Sequence, residues 1–143
     1  MQKAQTATVF IATAAVADWR PATQSEQKIK KDGSGQTPVL GFVENPDILA
    51  TMARSQHALV GDLFCVGFAA ESHDLLAHAT AKRQRKGVPL LVGNIGPATF
   101  GQDDNALLLV DAHGHREVPR ASKRILAQQL IAEIAKRLPA LQA

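Results

Sequence analysis

The chain has 143 residues and a formal net charge of +3, with 45% hydrophobic and 20% charged residues. These values describe one ordinary globular domain with a real core, and they exclude a disordered tail. The single cysteine, Cys65, excludes an internal disulfide, and its apolar neighbours predict a buried structural thiol in a reducing compartment. Because no apolar run approaches the roughly 20 residues of a membrane span and no signal peptide is visible, we expect a soluble, cytoplasmic protein.

Basic residues cluster at Lys28–Lys31 and again at Lys82–Lys86. Such clusters suit a polyanionic ligand, either nucleic acid or the phosphates of a nucleotide, although a solvated helix face is the alternative for the second cluster. The chain has one Trp and no Tyr, and its Phe residues lie mostly in apolar strands. This aromatic content argues against a stacking platform for bases, and therefore against a nucleic-acid partner.

The first predicted element is a strand over residues 7–16, where a continuous apolar and β-branched run indicates burial on both faces in a parallel sheet. The polar stretch 22–38 is too long for a turn, and we expect a mobile loop there. A short extended piece at 39–43 follows. Asn45 is then expected to cap a helix reaching Gln56.

Residues 63–69 predict a second buried strand, and an amphipathic helix from residue 72 or 73 to Lys86 is expected to end at Gly87. A third short strand is predicted at 89–92. A loop at 94–105 precedes a hairpin with strands at 106–111 and 116–119. The last helix, from Ser122 to Leu138, is expected to pack on the sheet through Ile125, Leu126, Leu130, Ile131, Ile134 and Leu138.

This order predicts an α/β fold, Rossmann-like, with a mostly parallel sheet, helices on both faces and a C-terminal β-hairpin and helix. No Gly-x-Gly-x-x-Gly or Gly-x-x-x-x-Gly-Lys-Ser/Thr turn follows the first strand. Residues 1–5 also look like the last turn of a helix. We therefore expect residues 1–143 to be the C-terminal part of a single domain, incomplete at the N-terminus and with an exposed sheet edge.

The most informative segment follows the first strand, because ligands of open α/β sheets bind beyond the carboxyl ends of the strands. The small residues of Ala14–Ala17 would let a ligand approach the backbone, and Asp18 can bind a metal or a hydroxyl, or be a capping or turn residue. Lys28 lies on the glycine-containing loop and can either close over phosphates or belong to a solvated charge run.

Further along the chain, Phe68 can flank a base beside Gly67, although a core role is the better interpretation of this strand alone. Lys82 and Lys86 are four residues apart on one helix face and can reach a triphosphate. The five histidines are not spaced as metal ligands and are expected on the surface. No candidate triad for nucleophilic catalysis is present, and Ser34 does not lie on a nucleophile elbow.

Taken in order, six motifs resemble phosphopantothenate-cysteine ligase, in the C-terminal half of the ligase domain of the bifunctional bacterial flavoprotein of coenzyme A biosynthesis. Each motif alone is weak, but the six together, in order over nearly the whole chain, are specific. The motifs are Ala14-Ala-Val-Ala-Asp-Trp-Arg-Pro21, Lys28-Ile-Lys-Lys31, Asn45-Pro-Asp-Ile-Leu49, Val66-Gly-Phe-Ala-Ala-Glu71, Lys82 with Lys86, and Asp103-Asp-Asn-Ala106.

The resemblance implies that CTP and Mg²⁺ convert 4'-phosphopantothenate into an acyl-cytidylate with release of pyrophosphate, after which the amine of cysteine displaces CMP. It implies that Lys28 contacts the phosphates and supports the transfer, and that the loop 22–38 is a flap closing on the intermediate. Lys82 and Lys86 are implied as further phosphate contacts. The implied lining of the nucleotide site is Ala12, Thr13, Ala14, Asp18, Asn45, Pro46, Asp47, Ile48 and Phe68.

Features of the family that lie upstream are not found in this sequence, namely its Gly-rich turn, the asparagine of its acyl-cytidylate chemistry and the separate FMN-binding decarboxylase domain. The resemblance thus implies that the chain alone is inactive, and that the family's homodimer forms through this domain. The alternative is a non-catalytic or dinucleotide-binding Rossmann-like module, which the missing glycine fingerprint opposes. A third hypothesis is a nucleic-acid-binding domain, which would bind DNA or RNA with an affinity that falls steeply as the salt concentration rises.

Overall fold

The computed structural model describes residues 6–30, 33, 35–37, 39–95 and 101–138. The helical turn expected at residues 1–5 and parts of the loops expected at 22–38 and 94–105 lie outside these ranges. The chain divides into two compact units, one formed by Met1–Thr13 with Leu49–Ala143 and the other by Ala14–Ile48. The elements are, in order, β1 (Val9–Ala12), β2 (Trp19–Pro21), β3 (Phe42–Glu44), α1 (Ile48–Ala53), α2 (Gln56–Leu59), β4 (Phe64–Glu71), α3 (Leu75–Lys86), β5 (Leu90–Ile95), β6 (Asp104–Val110), β7 (His115–Ser122) and α4 (Lys123–Ala135).

The first unit contains a five-stranded mixed sheet in the order β1-β4-β5-β6-β7. β1 pairs in parallel with β4, and β4 pairs in parallel with β5, while β6 and β7 continue the sheet in antiparallel fashion. Helix α3 is the crossover between β4 and β5, which parallel neighbours need because the chain must return to the starting edge. The predicted α/β Rossmann-like class, with its C-terminal hairpin and helix, is confirmed.

Two apolar cores lie on opposite faces of this sheet, because successive strand residues point to opposite sides. On one face Cys65, Ala69 and Leu91 pack with Met52 of α1 and Ala79 of α3. The other face contains Val66, Leu90, Val92 and Leu109, packed with Leu126, Leu130 and Ile134 of α4. Helices therefore cover both faces, as the sequence predicts. Burial also raises the pKa of the Cys65 thiol, which agrees with a structural role.

Gly67 lies on β4, the middle of the three parallel strands, and leaves room for side chains of α1 and β5 to approach it closely. A Cβ atom at Gly67 would lie 2.6 Å from Leu49 Cδ2 and 2.9 Å from Leu91 Cδ1. Gly93 on β5 has the same role toward α3, since its Cβ would lie 2.9 Å from Leu75 Cδ1. The two glycines thus bring the first turns of α1 and α3 down onto the sheet.

The first strand is shorter than predicted, because β1 ends at Ala12 rather than residue 16. The prediction of burial on both faces is also wrong, since all four of its residues are only half-buried. Among the described residues β1 pairs with β4 alone, so it is an edge strand and one side of it meets no further strand. Ala14–Asp18 therefore lies in the segment after the strand and opens the second unit.

The prediction of a single helix from Asn45 to Gln56 is wrong, because the structure has two helices, α1 and α2, separated by Arg54 and Ser55. Ser55 starts α2, since its Oγ accepts a hydrogen bond from the Ala58 N–H at 3.3 Å. Helix α1 begins only at Ile48, so Asn45 does not cap it. Other predicted bounds are close, and α3 ends as expected with Gly87 in the left-handed conformation at φ 69°.

The second unit contains β2 and β3, an antiparallel pair that the sequence analysis did not predict. Trp19 lies opposite Glu44 and Pro21 opposite Phe42, and the Ala22 N–H donates to the Gly41 carbonyl at 2.9 Å. The described residues between this pair of strands have no helix or strand and are exposed, as expected for a loop. Within the described part of the chain, no helix has both the length and the apolar character to cross a membrane.

Helix α4 differs from its predicted packing at three positions. Ile125 and Ile131 were expected on the packed face but are 42% and 55% exposed, whereas Glu133 is buried at 6% exposure. The Glu133 carboxylate is compensated by three cations, with Arg116 at 2.6 Å, Lys136 at 2.7 Å and Arg137 at 2.9 Å. Hydrogen bonds from Lys136, Arg137 and Arg116 lower the pKa of Glu133 to about 2 despite its burial.

Candidate functional site

Asn45 links the two segments that carry the most distinctive motifs of the second unit. Its side-chain amide donates to the Ala17 carbonyl at 2.7 Å, and its Oδ1 accepts from Arg20 Nη1 at 2.9 Å. The Asn45 N–H donates to the Asp18 carbonyl at 2.8 Å, and Arg20 Nη1 also donates to the Glu44 carbonyl. We call these five residues the Asn45 clasp. It uses all the polar groups of the Asn45 side chain for structure.

The clasp leaves the Asp18 carboxylate facing solvent. Only the backbone of Asp18 takes part in the clasp, and its side chain makes no hydrogen bond or ion pair within the described ranges. The sequence around Asp18 is compatible with a turn role or a ligand role. The structure gives it both a fixed backbone and an exposed carboxylate, which is the form of an oxygen ligand or a hydroxyl acceptor.

Lys28 lies on the exposed loop that follows β2. Directly before it, Ser25 forms a local turn in which its Oγ donates to the Gln27 carbonyl at 2.7 Å and lies 3.3 Å from the Gln27 nitrogen. Lys28 itself is exposed and belongs to none of the ion pairs formed by the described residues. Its ammonium is therefore available to an anionic ligand.

The remaining predicted residues of the second unit are also accessible. Ala14 lies in the segment after β1 and is exposed. Pro46 and Asp47 follow the clasp and are exposed, with Asp47 held by an interaction of its own. Ile48 is 45% exposed, although it begins α1. An exposed isoleucine after a fixed turn is the kind of apolar contact that a flat ligand can use.

In the first unit, Ala12 ends β1, and Phe68 lies in the middle of the neighbouring strand β4. Ala12 is the register partner of Gly67, which precedes Phe68 on β4, and the Thr13 N–H donates back to the Ile11 carbonyl at 3.2 Å. Phe68 is half-buried and packs against the core on the α4 face of the sheet. It therefore has the core role that the strand alone favoured, although the residue is not fully enclosed.

Lys82 and Lys86 lie one turn apart on α3, as their spacing predicts. Both are half-buried, and Lys86 has a polar interaction within the chain. At about 1.5 Å of rise per residue, they lie about 10 Å and 16 Å along the helix from Leu75. Because α3 returns from the end of β4 to the start of β5, both lysines lie away from the carboxyl edge of the strands.

The structure also brings together three polar residues that sequence reasoning did not combine. One ligand atom each from His73, Asp74 and His78 lies within 4.8 Å of the others, and all three residues are exposed. The expectation of surface histidines is confirmed for His73 and His78. Together with Asp74, however, these histidines form a possible metal-binding group. Asp74 and His78 are four residues apart and so share one helix face, a spacing that could have indicated this group from the sequence.

The fold and these two units define a Rossmann-like α/β protein with an exposed, motif-bearing loop after its first parallel strand. The sequence model of the family described as "DNA/pantothenate metabolism flavoprotein C-terminal domain" matches residues 1–138. The chain therefore belongs to this family.

Three comparisons locate the chain among its relatives. It is 41% identical over 135 residues to the coenzyme A biosynthesis bifunctional protein CoaBC of Vibrio cholerae, covering 92% of this chain and 33% of that protein. A crystal structure of the C-terminal domain of a CoaBC protein superposes with a TM-score of 0.67 at 26% identity, over 93% of this chain and 56% of that one. The DNA/pantothenate metabolism flavoprotein from Streptococcus pneumoniae gives 0.72 at 16% identity, over 95% and 66% of the respective chains, and supports the fold. The chain thus spans about a third of the length of the curated relatives it matches.

Proposed function

We propose that this chain is part of a CTP-dependent phosphopantothenate-cysteine ligase of coenzyme A biosynthesis. The observation that carries the proposal is the family match over residues 1–138. A curated relative that matches most of the chain is a coenzyme A biosynthesis protein. The Asn45 clasp supports it, because the clasp joins two of the six motifs through direct hydrogen bonds. The proposal includes a cytoplasmic location and a homodimer.

The reaction activates a carboxylate, which is otherwise a poor acyl donor. The carboxylate oxygen of 4'-phosphopantothenate attacks the α-phosphorus of CTP, and pyrophosphate leaves. The amine of cysteine then attacks the acyl carbon of the resulting acyl-cytidylate, and CMP leaves as the amide forms. Negative charge concentrates on the phosphates in the first step, so a positioned cation accelerates it.

Lys28 is the cation that we assign to this step. It is exposed and unpaired on a loop directly after β2, so its ammonium can reach phosphates without first breaking an ion pair of the described residues. In the proposal, the flap 22–38 carries Lys28 over the bound nucleotide and keeps water from the acyl-cytidylate. Lys82 and Lys86 are proposed as further phosphate contacts on the family resemblance alone, since both lie on α3 away from the carboxyl edge of the strands.

The nucleotide is proposed to contact three segments of the chain. Ala12, Thr13 and Ala14 are small and lie at or just beyond the end of β1, where a ligand can approach the backbone. Asn45 is held by the clasp and is followed by the exposed residues Pro46, Asp47 and Ile48, and the half-buried Phe68 is proposed as a further contact. Because its side-chain amide is already bonded, Asn45 contributes to these contacts by holding Asp18 and Arg20 in place.

Magnesium would accompany CTP, and the exposed Asp18 carboxylate fits such an ion. Mg²⁺ is usually held by one or two carboxylates together with the substrate phosphates, and a carboxylate without other partners is free to act in this way. The ion would neutralise phosphate charge when bound. FMN belongs to the separate decarboxylase domain of the family and has no role in this chain under the proposal.

The proposal is tested by Lys28→Gln in the complete ligase that carries this segment. We expect a large loss, about 10²-fold or more, in pyrophosphate release from CTP and 4'-phosphopantothenate, because one charged contact to the transition state is removed. Lys123→Gln, an exposed lysine that begins α4, is the matched control and should leave the rate unchanged. Wild-type rates for Lys28→Gln would remove this residue from the mechanism.

The 143-residue chain alone provides a second test, because it lacks the Gly-rich turn of the family and spans only a third of its relatives. Incubated with CTP, 4'-phosphopantothenate, Mg²⁺ and cysteine, it should form no product. Clear turnover by the purified chain would contradict the proposal that it supplies only part of the site.

A further inference from the structure

We propose that His73, Asp74 and His78 form a binding site for a divalent transition-metal ion, with Zn²⁺ as the natural probe. The proposal does not rest on the proposed ligase reaction or on its Mg²⁺. It lies in the first unit, at the turn that connects the end of β4 to the start of α3. Two imidazoles and one carboxylate are a donor set that favours zinc and its neighbours over magnesium.

The separation of the donor atoms is compatible with binding after small side-chain rotations. One donor atom from each residue lies within 4.8 Å of the other two, and the His73 and His78 rings meet edge to face with centroids 5.2 Å apart. Two ligands at about 2.0–2.1 Å from a tetrahedral ion are about 3.3 Å apart, so each must move by an ångström or so. All three residues are exposed, which leaves their side chains room for this movement.

The backbone already holds these residues in a favourable arrangement. Asp74 and His78 are four residues apart, and the His78 N–H donates to the Asp74 carbonyl at 3.1 Å, which fixes both on one turn. Asp74 precedes the first residue of α3 in the left-handed conformation, with φ 45°. Its side chain forms no capping hydrogen bond, although Asp in this position usually does, so the carboxylate is available as a ligand.

A hydrogen bond supports His73 as a ligand. Ser72 Oγ lies 2.9 Å from His73 Nδ1. A hydroxyl that accepts the Nδ1 proton leaves the lone pair on Nε2, and such a partner on the second ring nitrogen is typical of metal-binding histidines. Against binding stands the positive end of the α3 dipole, which costs a cation about 0.3–1 kcal/mol, and the charge of Asp74 offsets it.

A competition titration of the purified chain against a chromogenic zinc chelator tests this site. We expect one equivalent of Zn²⁺ to bind, with millimolar Mg²⁺ failing to displace it. Replacing both cluster histidines, His73→Ala with His78→Ala, should weaken binding by about tenfold or more, and Asp74→Asn should weaken it in the same direction. The matched control removes two exposed hairpin histidines, His113→Ala with His115→Ala, and should retain wild-type affinity.

A second measurement separates lost ligands from lost folding. Saturating Zn²⁺ should raise the Tm of the wild-type chain and of the hairpin control, because ligands that bind only the native state stabilise it, but not that of the cluster variant. In the absence of metal all three proteins should unfold at similar temperatures. Equal zinc affinity in the cluster variant and the wild type, or loss of binding in the hairpin control alone, would overturn the proposal.

Discussion

Replacing Glu133 with Gln should destabilise the chain in a strongly pH-dependent manner. The carboxylate is almost fully buried on α4 and meets Arg116, Lys136 and Arg137. Its pKa falls from the ordinary 4.5 to about 2 in the native state. Because one pKa unit corresponds to about 1.4 kcal/mol, ionised Glu133 contributes at most about 3 kcal/mol at neutral pH.

The sign of the effect follows from the lowered pKa. Above the unfolded value of 4.5 the carboxylate is ionised in both states, and its stabilisation is fully present. As the pH falls from 4.5 toward 2, the unfolded chain takes up the proton first, and the stabilisation is progressively lost. Solvent screens two of the partners, since Arg116 and Lys136 side chains are 60% and 66% exposed. We therefore expect Glu133→Gln to cost about 1–3 kcal/mol at pH 7.

Urea unfolding at pH 7, 4.5 and 3 measures this difference directly. The gap in unfolding free energy between wild type and Glu133→Gln should narrow as the pH decreases. Asp104→Asn is the matched control, because the Asp104 and Arg120 side chains form an ion pair while 47% and 56% exposed, and its cost should stay below about 1 kcal/mol. A cost for Glu133→Gln that is the same at all three pH values would refute the reasoning.

Two further variants test the packing and the clasp. Gly67→Ala should cost about 1–3 kcal/mol of unfolding free energy, measured in urea. In a Leu49→Ala background, which removes the Leu49 Cδ2 atom, the same substitution should cost less, and simple additivity of the two costs would contradict the close approach. Asn45→Asp keeps the oxygen that accepts from Arg20 but removes the amide that donates to the Ala17 carbonyl. Amide hydrogen exchange at residues 17–20 should therefore accelerate severalfold, while exchange in β4 is unaffected. Unchanged exchange at residues 17–20 would show that the clasp does not order this segment.

Local signals in the sequence predicted the framework of the first unit well. Gly87 ends α3 because glycine adopts the left-handed conformation without strain, and the turn at 112–114 joins β6 to β7 as predicted. Ser122 begins α4 through a side-chain hydrogen bond from Ile125, a pattern that is readable from residue type. These features depend on neighbours a few residues apart.

Features that depend on distant residues were not predictable in the same way. β2 and β3 are three residues each, and their pairing depends on contacts such as Trp19 with Glu44 that no local pattern encodes. Helical periodicity placed Ile131 on the packed face and overlooked Glu133, because it does not reveal that three cations surround this position. The Asn45 clasp likewise joins segments about 25 residues apart.

Of the candidate site, the sequence predicted the accessible residues but not what holds them. Asp18 and Lys28 are exposed as a ligand site requires. Arg20, which the family motif contains, was not singled out, although it anchors Asn45 and Glu44. The histidine and aspartate cluster was missed because His73 precedes the helix and has no periodic relation to His78.

The central claim is that this chain supplies part of a site where CTP activates the carboxylate of 4'-phosphopantothenate. A single-turnover experiment with the complete ligase, CTP and Mg²⁺ tests it most directly by measuring pyrophosphate before and after cysteine is added. The account predicts release of pyrophosphate that requires 4'-phosphopantothenate and CTP, followed by CMP only when cysteine is present, with both phases suppressed in Lys28→Gln. Pyrophosphate release that needs no 4'-phosphopantothenate, or no response to CTP, would contradict it.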